Sequence, residues 1–233
     1  MKTIFLILFF TLSSCNKNSD KLIIGTSADN PPYEYIKDNQ IIGIDIDIIK
    51  EIAKILNKEI EIRNMEFNML IPSLASGNVD IVIAGISVTE ERRKNFDFSD
   101  TYLTSNIAIL YIDKNITANS SMKNKILGAQ LGSTWSNVAY TLSPRVRELS
   151  NNLILLEELK IGNIDAMVIE ESQAKIFAEK YSNCNYFSIK QSSDFAIILA
   201  KNSPLTSSIN NAINQLKNNK FIEKIQNEWI KKN

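Results

Sequence analysis

Apolar and polar positions along this chain fall into short blocks that switch period. Leu22–Gly25 (LIIG) is a continuous apolar run, the mark of a buried strand. Asn30-Pro31-Pro32-Tyr33 excludes helix interior, because each proline fixes its own φ and restricts the residue before it. After Asp45, read as an N-cap, Ile48, Ile49, Ile52, Ile55 and Leu56 return at helical spacing on one face. Leu70, Ile71, Leu74 and Ala75 mark a second helix with Gly77 as its C′ stop, and Val79–Ala84 (VDIVIA) reads as a strand. Ile107–Leu110 and Phe195–Leu199 also read as buried strands. This alternation predicts an α/β protein.

One segment is partly repeated. Gly77-Asn78-Val79-Asp80-Ile81-Val82-Ile83 has a counterpart in Gly162-Asn163-Ile164-Asp165-Ala166-Met167-Val168. Each copy reads as a helix stop, a short turn and a buried strand. Two such units far apart predict two lobes, each with its own mainly parallel sheet. Ligands of open α/β sheets sit beyond the carboxyl ends of the strands. Gly85–Ser87 follow the first repeated strand and Glu170 ends the second, so these positions are expected to line a shared cleft.

The first residues follow a different logic. Lys2 and the uncharged run Ile4–Leu12 have the length of a signal-peptide core and fall short of the roughly 20 apolar residues a membrane span needs. Leu12-Ser13-Ser14-Cys15 resembles the lipobox of bacterial lipoproteins, which implies cleavage before Cys15 and a lipid thioether on its sulfur. Residues 1–14 are then a signal peptide and 15–20 a polar tether. Only Cys184 remains besides Cys15, so no intramolecular disulfide is expected, and its polar surroundings (YSNCNY) read as a loop.

Composition narrows the chemistry. Lys+Arg and Asp+Glu both number 26, and loss of the leader removes only Lys2, so no nucleic-acid-binding surface is indicated. The sequence contains no histidine, which removes Ser-His triads, Cys-His dyads and most zinc sites. Neither a metal nor a cofactor is expected.

Several stretches, in order, carry a resemblance: Ile24–Glu34 (IGTSADNPPYE), Gly43–Asp47, Phe67–Leu74, Gly85–Arg92 (GISVTEER), Phe96–Asp100 (FDFSD), Leu131–Thr134 (LGST), Gly162–Glu170 and Phe221–Ile230 with Trp229. Together they resemble family 3 of the bacterial extracellular solute-binding proteins, the amino-acid binders. The resemblance implies a periplasmic-binding-protein fold, its lobes joined by a two-strand hinge near Asn106–Tyr111 and Asp194–Leu199. Lobe one would hold residues 21–104 and 194–233, and lobe two residues 105–193. It also implies a monomer that captures a free amino acid and delivers it to the permease and ATPase of an ABC importer.

On that reading Arg92 meets the ligand carboxylate through paired guanidinium hydrogen bonds that lysine cannot copy. Ser87 and Glu90 match a capping box, so a helix start beside Gly85 and Ser87 would add donors for the anion. Thr134 would approach the same carboxylate from lobe two. Glu170, where the family usually has aspartate, would hold the α-ammonium. Asp29, Asn30 and Phe67 would line the side-chain pocket. Many relatives have an aromatic where Asn30 stands, and Trp135 is a possible substitute wall. Ser27 replaces an aspartate of several cation-selective relatives, while Asp29 restores negative charge. Asp45 is assigned to capping rather than to the pocket. These charges favour a polar or basic amino acid, arginine ahead of glutamine. The competing class is a cyclohexadienyl or arogenate dehydratase on the same scaffold, with Glu170 as its acid. A lytic transglycosylase would need an added catalytic domain, and a sensor a transmembrane or signalling segment.

Overall fold

The computed structural model describes residues 21–232. The leader 1–14, Cys15 and the rest of the tether lie outside the described residues. The chain opens with β1 (Lys21–Thr26), a small antiparallel meander β2 (Asp29–Asn30), β3 (Glu34–Lys37) and β4 (Gln40–Ile42), then α1 (Ile44–Ile55), β5 (Glu59–Asn64), α2 (Phe67–Ala75), β6 (Ile81–Val82), α3 (Glu90–Asn95) and β7 (Phe96–Phe98). It continues through β8 (Leu103–Tyr111), β9 (Leu127–Gln130), α4 (Thr134–Leu142), β10 (Val146–Leu149), α5 (Asn152–Lys160), β11 (Ala166–Glu170), α6 (Glu171–Lys180) and β12 (Asn185–Phe195). It closes with β13 (Ile198–Ala200), α7 (Thr206–Asn218) and α8 (Phe221–Lys232).

Two five-stranded sheets define two lobes, with strand orders β5-β1-β6-β13-β7 and β10-β9-β11-β8-β12. In the first, β1 runs parallel to β5 and β6, and β13 is antiparallel to β6 and β7. In the second, β9 runs parallel to β10 and β11, and β8 is antiparallel to β11 and β12. The chain passes between the sheets twice, from β7 to β8 and from β12 to β13. The long β8–β12 ladder runs from Leu103 opposite Phe195 to Tyr111 opposite Asn185 and slips in register between Ile189 and Ser192. The expected strand Asp194–Leu199 is in fact divided: Phe195 ends β12 in one sheet, and Ile198 starts β13 in the other. The chain changes sheet here, so one ladder cannot hold the whole run.

The repeated segment folds alike in both lobes. Gly77 and Gly162 take positive φ of 73° and 80° just past a helix, a conformation that costs glycine little. Asp80 Oδ2 then accepts from the Ile23 N–H at 2.8 Å, and Asp165 Oδ2 from the Ile126 N–H at 2.6 Å. Each carboxylate ties its turn to the neighbouring strand before the chain enters β6 or β11. The paired strand after Val79 is shorter than expected, only Ile81–Val82.

The periodic face of α1 buries Ile48, Ile49 and Ile52, while Ile55 and Leu56 pack at its edge. Asp45 does not cap this helix. Gly43 does, because at φ 134° the chain passes so close to Tyr33 that any Cβ would lie 2.1 Å from its carbonyl oxygen. Cys184 lies in the connection between α6 and β12, as its surroundings suggested, but it is buried in a lobe-two apolar cluster with Leu159 and Phe177.

Candidate functional site

The cleft is built at strand carboxyl ends. Asp29 follows β1, Gly85–Ser87 follow β6, Gln130 ends β9 and Glu170 ends β11. The lobes meet there through side chains. Ser87 Oγ and Thr134 Oγ1 lie 2.8 Å apart. Arg92 donates from Nη1 to the Ser87 carbonyl and from Nη2 to the Gly132 carbonyl, each at 2.9 Å, so it touches both lobes. Arg92 is half-buried, and that burial lowers its pKa from the usual guanidinium value, whereas Arg93 is exposed with its guanidinium 5.4 Å from the centre of the Phe98 ring.

The helix starts differ from the sequence pattern in one detail. Thr89, not Ser87, caps α3, accepting from the Arg92 N–H at 3.2 Å. Ser87 has the glutamate of a capping pattern three positions on and Thr89 has Arg92 there, but Ser87 is held in a β-bridge to Phe195, and its hydroxyl turns to Thr134. Thr134 is the first residue of α4, whose cap is Ser133.

Asp29 is 2 % exposed and also bridges the lobes. Its Oδ2 accepts from Gln130 Nε2 at 3.0 Å and from the Asn152 N–H at 2.7 Å, and its carbonyl accepts from Gln173 Nε2 at 2.9 Å. Burial outweighs these donors and raises its pKa to about 6. Glu170 accepts from Tyr33 Oη at 3.1 Å, from the Ser105 hydroxyl and from the Gln173 N–H at 2.8 Å, so it also caps α6. Burial likewise raises its pKa, and it lifts the Tyr33 phenol well above 10.

The expected pocket walls are dispersed. Asn30 turns its amide to Glu34 Oε1 at 3.0 Å. Phe67 opens α2 and belongs to a lobe-one apolar cluster with Leu70, Ile86 and Phe98. Trp135 stands edge-on to Phe195, centroids 6.4 Å apart, and lines a pocket of about 310 Å³ with Ser87 and Thr134. A larger cavity of about 770 Å³ opens between the lobes beside Ser27 and Asp29, with Asn64 and Glu66 on one side and Leu153 and Glu179 on the other. Arg92, Thr134 and Glu170 do not line it.

Asp45 supports the cleft in a way that its sequence position concealed. It is fully buried, and its Oδ2 accepts from the Gly85 N–H at 2.8 Å and from Tyr102 Oη at 2.7 Å. Tyr33, Gln130, Asn152 and Gln173 likewise bond to the cleft acids Glu170 and Asp29 without a local sequence signal for those pairs. A buried glutamine at the end of the apolar strand Leu127–Gln130 is the signal that could have found one of them, since a buried amide needs a partner. Among the described residues, every buried Asp, Glu, Lys or Arg is an acid: Asp29, Glu34, Asp45 and Glu170.

Residues 22–232 match the model of the bacterial extracellular solute-binding proteins, family 3. The chain is 34 % identical to the arginine-binding extracellular protein ArtP of Bacillus subtilis, over 95 % of this chain and 93 % of that one. It is 28 % identical to the ABC transporter arginine-binding protein 1 of Escherichia coli, over 91 % of each chain. Among solved structures, an ancestral arginine-binding protein bound to glutamine superposes with a TM-score of 0.85 at 34 % identity, over 90 % of this chain and 97 % of that one. AbpA of Streptococcus pneumoniae bound to L-arginine gives 0.85 at 31 %, over 91 % and 95 %. With a matching fold, a family match over nearly its full length and a cleft at strand carboxyl ends, this chain belongs to family 3 of the bacterial extracellular solute-binding proteins.

Proposed function

We propose that the protein captures a free polar or basic L-amino acid, arginine ahead of glutamine, by closing lobe one (21–104 and 194–233) on lobe two (105–193). It then delivers the ligand to the permease of an ABC importer. The observation that carries the ligand class is the imbalance of buried charge. Asp29 and Glu170 bring buried acids to the cleft from both lobes, and Arg92 is its single half-buried guanidinium. A ligand with a carboxylate for Arg92 and a cationic group for the acids matches that polarity. Arginine-binding relatives support the same choice.

Calorimetric titration with each standard L-amino acid tests the proposal. The expected result is tight binding of arginine or glutamine. Tight binding of leucine or another aliphatic, with none for those two, overturns it. Burial raises the Glu170 pKa in the direction a general acid requires, so turnover of prephenate and arogenate is measured on the same sample. No turnover is expected.

Export and anchoring through lipid on Cys15 complete the proposal. Among the described residues no helix is long and apolar enough to cross a membrane. Cys15→Ser is expected to move the protein out of the membrane fraction. Its retention there after signal removal would contradict the anchor.

A further inference from the structure

Beneath the cleft, two carboxyl side chains from different elements meet. Glu34 begins β3 and is 1 % exposed; Asp45 lies in the first turn of α1 and is 0 % exposed. Their carboxyl groups are hydrogen-bond partners. Each also has one buried oxygen, Glu34 Oε2 and Asp45 Oδ1, that receives no N–H or O–H from any described residue. Two carboxylates in contact would both be acceptors, leaving these atoms unpaired and two like charges together. One proton between them removes both costs.

We propose that Glu34 is a neutral carboxylic acid that donates its proton to Asp45, and that this pair is the positioning device for the cleft floor.

The remaining oxygens decide which partner is ionised. Asp45 Oδ2 takes the Gly85 N–H and the Tyr102 hydroxyl, whereas Glu34 Oε1 takes only the Asn30 amide. Two donors against one stabilise charge on Asp45 and leave the proton on Glu34. The other titratable groups facing the pair are Asp29, Tyr33 and Tyr102, none of them a cation at neutral pH. Burial, followed by the Asp45 charge, raises the Glu34 pKa well above 4.5, in the direction the geometry requires.

The outer bonds of the pair grip two cleft positions. Asn30 is held from Glu34, and the Gly85 backbone from Asp45. Gly85 sits at φ 53°, with its missing Cβ only 3.3 Å from Asn30 Nδ2. Asn30 and Gly85 are therefore in close contact, each fixed by one half of the pair. Tyr102, the third ligand of the pair, donates its own N–H to the Phe195 carbonyl where the chain passes between sheets. The proton thus joins the floor of the cleft to the crossing segment.

The positioning role for binding rests on the proposed function; the location of the proton does not. Carbon-13 NMR of the ligand-free protein, labelled at the glutamate carboxyl, follows each resonance with pH. The resonance missing from Glu34→Gln is expected at the position of a protonated carboxyl at neutral pH. Finding it at the ionised position overturns the assignment. Amide hydrogen exchange at Gly85 reads positioning without ligand: faster in Glu34→Ala and restored in Glu34→Gln, which keeps a neutral donor in place. Unchanged exchange in Glu34→Ala overturns the positioning role.

Stability against pH provides a third reading. A raised folded-state pKa contributes stability that is fully present below 4.5 and is lost as pH rises through the folded value. Glu34→Gln is expected to lack that decline, and an identical decline in the variant overturns the proposal. With L-arginine as probe, Glu34→Ala is expected to weaken binding about tenfold, and Glu34→Gln to recover most of it. Equal loss in both variants overturns the neutral-acid assignment. Failure of the unmodified protein to bind L-arginine counts against the arginine assignment alone, because NMR and exchange require no ligand.

Discussion

Arg92→Ala deletes a guanidinium that reaches carbonyls on both sides of the cleft, Ser87 in lobe one and Gly132 in lobe two, at 2.9 Å each. Arg92 is already half-buried, and desolvation already lowers its pKa, so a ligand carboxylate placed here would have few other cationic partners. Leaving such a group poorly paired costs about 2–5 kcal/mol. At about 1.4 kcal/mol per decade, affinity falls by roughly thirty- to several-thousand-fold. Arg92→Lys keeps the charge but cannot span both carbonyls in the same planar geometry, and should recover only part of that loss. Arg93→Ala removes an exposed charge stacked on Phe98 and should leave affinity nearly unchanged. The assay is calorimetry on folded variants, combined with small-angle scattering with and without ligand. An Arg92→Ala protein that binds normally and still compacts would falsify the carboxylate assignment.

Further expectations follow from the bonds around the cleft and its supports. Asp29 has a pKa of about 6 with the lobes together, against an ordinary 3.8, so the closed form binds the proton more tightly. In ligand-free protein, closure should strengthen as pH falls from about 7 to 4, by at most about 3 kcal/mol, and Asp29→Asn should flatten the profile. Scattering or an inter-lobe distance probe reads this, and a trend toward opening on acidification contradicts it. Asp80→Ala and Asp165→Ala each remove a strand-tying acceptor and should cost about 1–2 kcal/mol in urea unfolding. A loss confined to one of them would show that the repeat is not energetically equivalent. Gly85→Ala meets both a positive φ and Asn30 Nδ2 at 3.3 Å, and should destabilise by about 1–3 kcal/mol with a parallel drop in affinity. A variant with unaltered melting and binding would show that the floor yields freely.

The two-lobe plan was legible because its signals are local. Gly77 and Gly162 mark their helix stops by short-range chemistry, and the strands after them are apolar runs. Asp45 shows the limit. An aspartate at the start of a helical pattern reads as a cap, and only the close approach of Gly43 to Tyr33 moves the helix start upstream and frees Asp45 to reach Gly85, 40 positions away. Ser87 and Thr89 pose the same difficulty on a smaller scale. Two hydroxyls stand near the start of α3, and the β-bridge to Phe195 decides which of them caps. The bonds from Asp29 to Gln130 and Asn152 span 101 and 123 positions, and no periodicity encodes such pairs.

Strand β13, Ile198–Ala200, lies between β6 and β7 in the first sheet. As the chain emerges N-terminus first, β6 and β7 therefore appear long before the strand that separates them, and each presents an unpaired edge until the chain returns. All five strands of the second sheet are available by Phe195, so that sheet can be completed first. The nascent protein thus carries open edges in its older half while its younger half matures, a period in which edge-to-edge association competes with folding. Vectorial assembly of this chain is not first come, first finished: the sheet begun earliest is closed by three residues that follow the whole of the second sheet.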